Sequence, residues 1–185
     1  MKKEKKYIKT FEQYDSDYDD EDEYEDILDL PTRSIDGIFY HGTTISEDDE
    51  LFLHFNPSIY SDHDAVWVSN DEDISKDFAD NWRHETSLTV VFKMNIQMDN
   101  FVELNKNAYE NINEYYGFED LREAIPILSE RFNGWITTGS IGRKIYDDIC
   151  IFDYENLETQ SVSMLLNGKW TEYMTLEQAN EILQK

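Results

Sequence analysis

Apolar positions in this chain fall into short runs separated by polar turns, the pattern of a domain built largely from strands. Ile38-Phe39-Tyr40-His41 is an apolar, aromatic run that stops at Gly42-Thr43-Thr44, which predicts a strand delivering His41 to its end. Residues 51–55 predict a second extended piece, residues 58–64 a polar loop, and Ala65-Val66-Trp67-Val68-Ser69 a compact strand. Asn70 is then expected to cap a helix, with Asp71, Glu72 and Asp73 in a first turn where the dipole favours negative charge. Ile74, Phe78 and Trp82 recur every four residues and predict one apolar stripe along that helix.

Residues 88–96 carry the longest strand signal, and residues 101–104 predict a further short strand after Met98-Asp99-Asn100. Helical spacing over residues 107–116 and 118–132 is broken at Gly117 and bent or restarted at Pro126. Beyond Asn133-Gly134, residues 135–138 read as a strand, 139–144 as a glycine-containing loop and 146–154 as a central strand with an acidic entry. Residues 161–166 and 169–173 flank Asn167-Gly168, a strong short hairpin signal. Thr175-Leu176-Glu177-Gln178 has the spacing of a capping box and starts a last helix. Strands and helices intermingle without a repeated alternation, so the α+β class is expected rather than a doubly wound sheet.

Length and charge divide the chain. At 185 residues it accommodates one domain and a tail. Residues 1–34 hold a basic head (Lys2, Lys3, Lys5, Lys6, Lys9) and an acidic run over 15–29 interrupted by Tyr18 and Tyr24. Such a block buries too little apolar surface to offset its ordering entropy, which predicts a disordered tail ahead of a folded domain over 35–185. The tail is either an arm for a basic partner or a solvated leader. A net charge of −25, from 41 acidic against 16 basic residues, excludes a protein whose main task is gripping nucleic-acid phosphates. No apolar run approaches the ~20 residues that cross a bilayer, and the lysine-rich start leads into no apolar signal segment, so a soluble cytoplasmic protein with no membrane partner is expected. Cys150 is the only cysteine, which excludes an internal disulfide and a cysteine zinc cluster; its apolar surroundings predict a buried strand.

Three short motifs bear on chemistry. His41-Gly42-Thr43 closes the first strand; Ser75 and Phe78 follow Trp67 by eight and eleven residues; Asp148-Ile149-Cys150-Ile151-Phe152-Asp153 opens a late apolar strand. In this order they resemble the motifs of the ADP-ribosyltransferase superfamily, on its diphtheria-toxin and poly(ADP-ribose) polymerase (H-Y-E) side. That family has histidine-glycine-serine/threonine, then glycine-isoleucine-tyrosine-phenylalanine, then glutamate-tyrosine-isoleucine-valine-tyrosine-aspartate. Trp67 stands at the tyrosine and Asp148 at the glutamate, and the resemblance spans residues 39–152.

The resemblance implies split, mostly antiparallel sheets with flanking helices, and NAD as substrate. It implies transfer of a single ADP-ribose to an unknown protein or nucleic-acid acceptor, or slow NAD hydrolysis. Asp148 and His41 are then the expected catalytic residues, and His41, Gly42, Thr43, Trp67, Ser75 and Phe78 the expected NAD-binding ones. The chemistry suits these residue types. Cleavage from ribose passes through an oxocarbenium-like state that a carboxylate stabilises while holding the 2′-hydroxyl, the part of Asp148. Rings at Trp67 and Phe78 stack on the pyridinium. Gly42 admits the carboxamide to the backbone, Ser75 offers it a hydroxyl, and His41 holds an adenosine-ribose hydroxyl. Arg143 and Lys144 either meet the pyrophosphate or serve solubility. Tyr146 stands two before Asp148 where arginine-modifying relatives have glutamate or glutamine, so the resemblance does not imply an arginine target.

Ordinary readings of the same residues stay open. His41 suits a hydrogen-bonded structural histidine, Trp67 and Phe78 suit core packing, Ser75 a helix surface and Asp148 a solvated strand entry. Aspartate also withdraws its carboxylate by ~1.5 Å relative to glutamate, and Trp67 lacks the tyrosine hydroxyl. The rival function is a non-catalytic acidic interaction protein, a mimic of nucleic-acid charge, on a degenerate NAD-binding fold. His63 between Asp62 and Asp64, and His84 beside Glu85, do not compose a metal site by spacing alone, and none is expected. The lysine-rich, acidic and aromatic leader resembles those of proteins encoded by large phages, which would make the cytoplasm that of a host.

Overall fold

The computed structural model describes residues 30–46, 65–81, 87–104, 121–141, 144–152, 154 and 157–184. Most belong to seven strands: β1 (Thr32–Ser46), β2 (Val66–Ser69), β3 (Ser87–Leu104), β4 (Gly134–Ile141), β5 (Lys144–Ile151), β6 (Thr159–Leu166) and β7 (Lys169–Trp170). Among the described residues the helices are short: α1 (Glu72–Asn81), α2 (Ile125–Leu128) after a 3-10 turn (Leu121–Ala124), and α3 (Leu176–Leu183). The strand order is β1-β2-β5-β4-β3-β6-β7, and β1 also pairs with β3, so the first five strands close into a ring. Only β3 and β4 run parallel; the other pairings are antiparallel. The architecture is mixed α/β and mostly strand, consistent with the α+β class.

Alternation along the strands decides what each face buries. Val66, Val68, Ile136, Ile149 and Ile151 turn to one side and pack against Ile35, Phe39, Met94 and Ile96 of β1 and β3. From the opposite face, Trp135 and Cys150, with Trp67 packed alongside, meet Ala124, Ile125, Leu128 and Phe132 of the helical segment. A third cluster joins Ile45, Val90, Phe92, Val162 and Met164 to Ala179 of α3. Each fully buried large aliphatic side chain contributes about 1.5–3 kcal/mol, so these three clusters hold the ring together.

Several elements differ from their sequence expectation, for local physical reasons. β1 does not end at His41 but runs through Gly42 to Ser46, because its polar residues pair with β3 from Thr32↔Val102 to Ser46↔Ser87. The strands expected over 88–96 and 101–104 are one strand, kinked where Asn100 adopts a left-handed φ of 59° and its Nδ2 donates to the Arg131 carbonyl at 2.6 Å. The expected loop over 139–144 is largely the continuation of β4 and β5, which pair out to Ile141↔Lys144. Pro126 sits in the first turn of α2, where its missing N–H is harmless and the 3-10 turn gives way to a helix. The hairpin at Asn167-Gly168 forms with both residues at positive φ, 52° and 76°. The capping box at Thr175 is complete, Thr175 Oγ1 accepting from Gln178 N at 3.2 Å and Gln178 Oε1 from Thr175 N at 3.0 Å. The extended piece at 51–55, the helical region at 107–116 and residues 1–29 of the tail expected over 1–34 lie outside the described residues, whereas Leu30 is buried in the core and β1 already starts at Thr32, so the folded domain begins ahead of residue 35.

Helix α1 starts one residue later than expected and faces differently. Asp71, not Asn70, is the cap: its Oδ1 accepts from Asp73 N at 3.0 Å and Ile74 N at 3.1 Å. The buried face of α1 is Ser75 and Ala79, whereas Phe78 is 53% exposed. The stripe of Ile74 and Phe78 therefore does not make the main contact with the sheet; Trp82 lies outside the described residues. That contact is made at Gly42, where a Cβ would overlap the Ser75 carbonyl and lie 3.2 Å from the Ala79 Cβ.

Gly42→Ala is therefore expected to force α1 off β1 and to destabilise the fold by about 2–3 kcal/mol, the scale of overpacking a tight contact. Chemical denaturation of both proteins measures it; an unchanged midpoint would show that the helix is not seated as described.

Candidate functional site

Strand register builds the site. Ser69 of β2 lies opposite Asp148 of β5, which lies opposite Thr137 of β4, and all three share one face. One step along the same face, Trp67, Cys150 and Trp135 form a parallel row. The helical segment covers the tryptophan row, and the polar row opens onto a cavity of about 470 Å³. Among the described residues its walls are Trp67, Ser69, Trp135, Thr137, Tyr146 and Asp148 from the three strands, Tyr40 and Gly42 from β1, Ile74, Ser75 and Phe78 from α1, and Arg122 from the 3-10 turn. Val68 completes the lining. Trp67 and Trp135 meet edge to face, centroids 5.4 Å apart and planes at 68°, which fixes both indoles.

Asp147 and Asp148 point to opposite faces of β5 and have opposite surroundings. The Asp147 carboxylate accepts from Arg33 Nη2 at 2.7 Å, and Arg33 Nε reaches Glu103 at 3.1 Å. Asp147 N donates to Asn70 Oδ1 at 2.9 Å, and Ser69 Oγ donates to the Asp147 carbonyl at 3.0 Å. Ser69 Oγ in turn accepts from Asp71 N at 3.1 Å, tying the start of α1 to β5. The Asp148 carboxylate has no hydrogen bond or ion pair among the described residues. Thr137 Oγ1, its neighbour in the row, donates to the Asp148 main-chain oxygen at 3.2 Å and not to the carboxylate. Burial without a compensating partner pushes the Asp148 carboxyl up to about 6.

Of the residues expected from sequence, Gly42, Trp67, Ser75, Phe78 and Asp148 come together around this cavity from four elements. His41 and Thr43 are not among its lining residues. Because β1 passes through Gly42, His41 alternates to the other face. Its ring is buried beside Phe92, centroids 6.4 Å apart. Its Nδ1 bonds the Trp67 carbonyl at 2.6 Å, so Nδ1 carries the proton and donates; burial holds the imidazole below its usual pKa and keeps it neutral. That bond reinforces a seam where β1 and β2 pair only at Tyr40↔Ser69. Ser75 is buried rather than on the helix surface, and its Oγ donates to the Tyr40 carbonyl at 3.0 Å.

Sequence reading missed Tyr40, Trp135, Thr137, Tyr146 and Arg122. Two-residue alternation from Gly42 and from Asp148 would have found Tyr40 and Tyr146; Trp135 and Thr137 depend on a cross-strand register, and Arg122 on the packing of the 3-10 turn. Arg143, His63 and His84 lie outside the described residues, and among the described residues no cluster of three His, Cys, Asp or Glu side chains is placed to hold a metal.

The raised Asp148 pKa has a signed consequence for stability. Between the ordinary carboxylate value and about 6, the folded chain holds a proton that the unfolded chain has lost, so this group's contribution to stability falls as pH rises through that window and is flat above it. Asp148→Asn removes the effect. The variant is expected to match the parent near pH 4 and to exceed it above pH 6 by on the order of 1–3 kcal/mol, read from paired thermal or denaturant melts. A constant difference across that range would mean the carboxyl is not desolvated. No family model, curated protein or solved structure matches this chain.

Proposed function

We propose that the protein is an NAD-dependent mono-ADP-ribosyltransferase that modifies a macromolecular acceptor, or in its absence hydrolyses NAD slowly. The observation that carries this reading is a partly buried carboxylate without a partner among the described residues, set in an aromatic-walled cavity beside the backbone of Gly42. The weakly joined seam between β1 and β2 also suits the split-sheet arrangement of that superfamily.

In this reading the pyridinium lies between the rings of the cavity, with Trp67 and Phe78 as its walls. Its carboxamide meets the Gly42 backbone, and its ribose lies over Asp148. The bond from C1′ to the ring nitrogen breaks, the electron pair leaves with nicotinamide, and positive charge develops on the ribose. Asp148 stabilises that charge. A nucleophilic atom of the acceptor, or water, then bonds to C1′ and gives up its proton. Ser75 acts mainly by holding α1 to β1, since its hydroxyl is already donated to Tyr40. His41 holds β2, and hence Trp67, without touching the substrate. Arg122 is the cationic residue among the cavity-lining residues described.

Nicotinamide release from NAD tests the proposal. Asp148→Ala is expected to lower it by about 100-fold or more, and Phe78→Ala to raise KM with a smaller effect on kcat. Release should climb with pH through about 6 as Asp148 ionises. Equal background from the parent and Asp148→Ala would end the enzyme reading.

A further inference from the structure

A carboxylate in an apolar pocket is stabilised most by a cation, and here the protein withholds the usual neutral substitutes. The two hydroxyls flanking Asp148 in its row are both turned to the main chain, Ser69 Oγ to the Asp147 carbonyl and Thr137 Oγ1 to the Asp148 carbonyl. The indole of Trp67 and the ring of Phe78 line the same space, and Trp135, fully buried, braces Trp67 edge to face. Aromatic faces together with one uncompensated negative charge attract flat organic cations, the more strongly as water is excluded.

We infer that the cavity is a receptor for flat organic cations, which binds an N-alkylpyridinium ring and discriminates against the neutral ring of the same shape. The choice of a pyridinium rests on the proposed function; the preference for a cation rests on the Asp148 carboxylate and the ring walls alone. The other groups facing Asp148 leave its charge as the determinant. They are the phenols of Tyr40 and Tyr146, the Cys150 thiol in the neighbouring row, and Arg122 of the 3-10 turn on the cavity wall, while α1 contributes the uncharged Ile74, Ser75 and Phe78. Arg122 is exposed, and burial alone accounts for the state of Asp148. A functional consequence follows for turnover. Cleavage converts the pyridinium into neutral nicotinamide, so the reaction removes the charge that held the ring and the product leaves.

Titration with N1-methylnicotinamide and with nicotinamide, followed by tryptophan fluorescence or calorimetry, tests the inference. At pH 8 the methylated cation is expected to bind about tenfold or more tightly than its neutral isostere. At pH 5, where Asp148 is largely protonated, and in Asp148→Asn at either pH, the preference should fall below about threefold. Equal affinity of the two ligands at pH 8, a preference that survives Asp148→Asn, or binding of neither ligand would overturn it. The melts of Asp148→Asn show independently that the variant is folded. Nicotinamide release from NAD without a cation preference would overturn this inference and leave the proposed function standing. A cation preference in a protein that does not cleave NAD would do the reverse.

Discussion

Helix α1 lies so close to β1 that the backbone of Ser75 occupies the place of a side chain at position 42. Much of the site follows from that contact. With Ser75 and Ala79 turned to the sheet, helical spacing sends Ile74 and Phe78 to the flank, where they close one side of the cavity. The Ser75 hydroxyl fixes the helix by bonding the Tyr40 carbonyl, and the Asp71 cap with Ser69 Oγ fixes its beginning. Gly42 thus has a packing requirement of its own, independent of any ligand. A bare backbone is needed there for the helix to approach, and Gly42, though buried, is also part of the cavity lining.

The pleat of β5 separates two adjacent aspartates into different roles. Asp147 is neutralised by Arg33 and joined to Asn70, so it behaves as a fastener between β5, β2 and the chain leading into α1. Asp148, one residue on, faces the cavity without such help. The difference is geometric, since neighbouring side chains on a strand point to opposite faces. The fastener also limits movement of the strand that carries Asp148, because Ser69 and Thr137 bond main-chain oxygens on either side of it. A carboxylate held on a fixed strand among rigid rings is preorganised, which is what charge stabilisation in a transition state requires.

Much of this was legible in the sequence where the signal is local. The Asn167-Gly168 turn, the Thr175 capping box, the compact strand at Val66–Ser69 and the restart at Pro126 rest on interactions within a few residues. The candidate residues Gly42, Trp67, Ser75, Phe78 and Asp148 were also named from spacing and resemblance, and they meet at one cavity. What was not legible is non-local. Ending β1 at His41 made His41 and Gly42 both available to a ligand; continuing the strand through Gly42 sends them to opposite faces, and only the pairing with β3 requires the continuation. Asn70 has good capping chemistry, but the main chain of β5 competes for its side chain and leaves the cap to Asp71. Trp135 and Thr137 enter the site through the register of β4 against β5, which no local pattern encodes.

The charge balance of the site sharpens what the protein tolerates for it. The chain carries a net charge of −25, and α1 alone presents Glu72, Asp73, Asp77 and Asp80. In such a field a further desolvated carboxylate is unfavourable, and Asp147 shows how the fold relieves one when it serves structure. Leaving Asp148 unrelieved beside two hydroxyls that a rotation would turn toward it is a local conflict between stability and electrostatics. Conflicts of that kind concentrate where a ligand supplies the missing partner. An aspartate side chain, one methylene shorter than a glutamate, also keeps that charge near the sheet. A ligand that meets this carboxylate therefore lies among the cavity-lining residues Trp67, Thr137 and Tyr146, with Trp67 braced from behind the cavity wall by its edge-to-face contact with the fully buried Trp135.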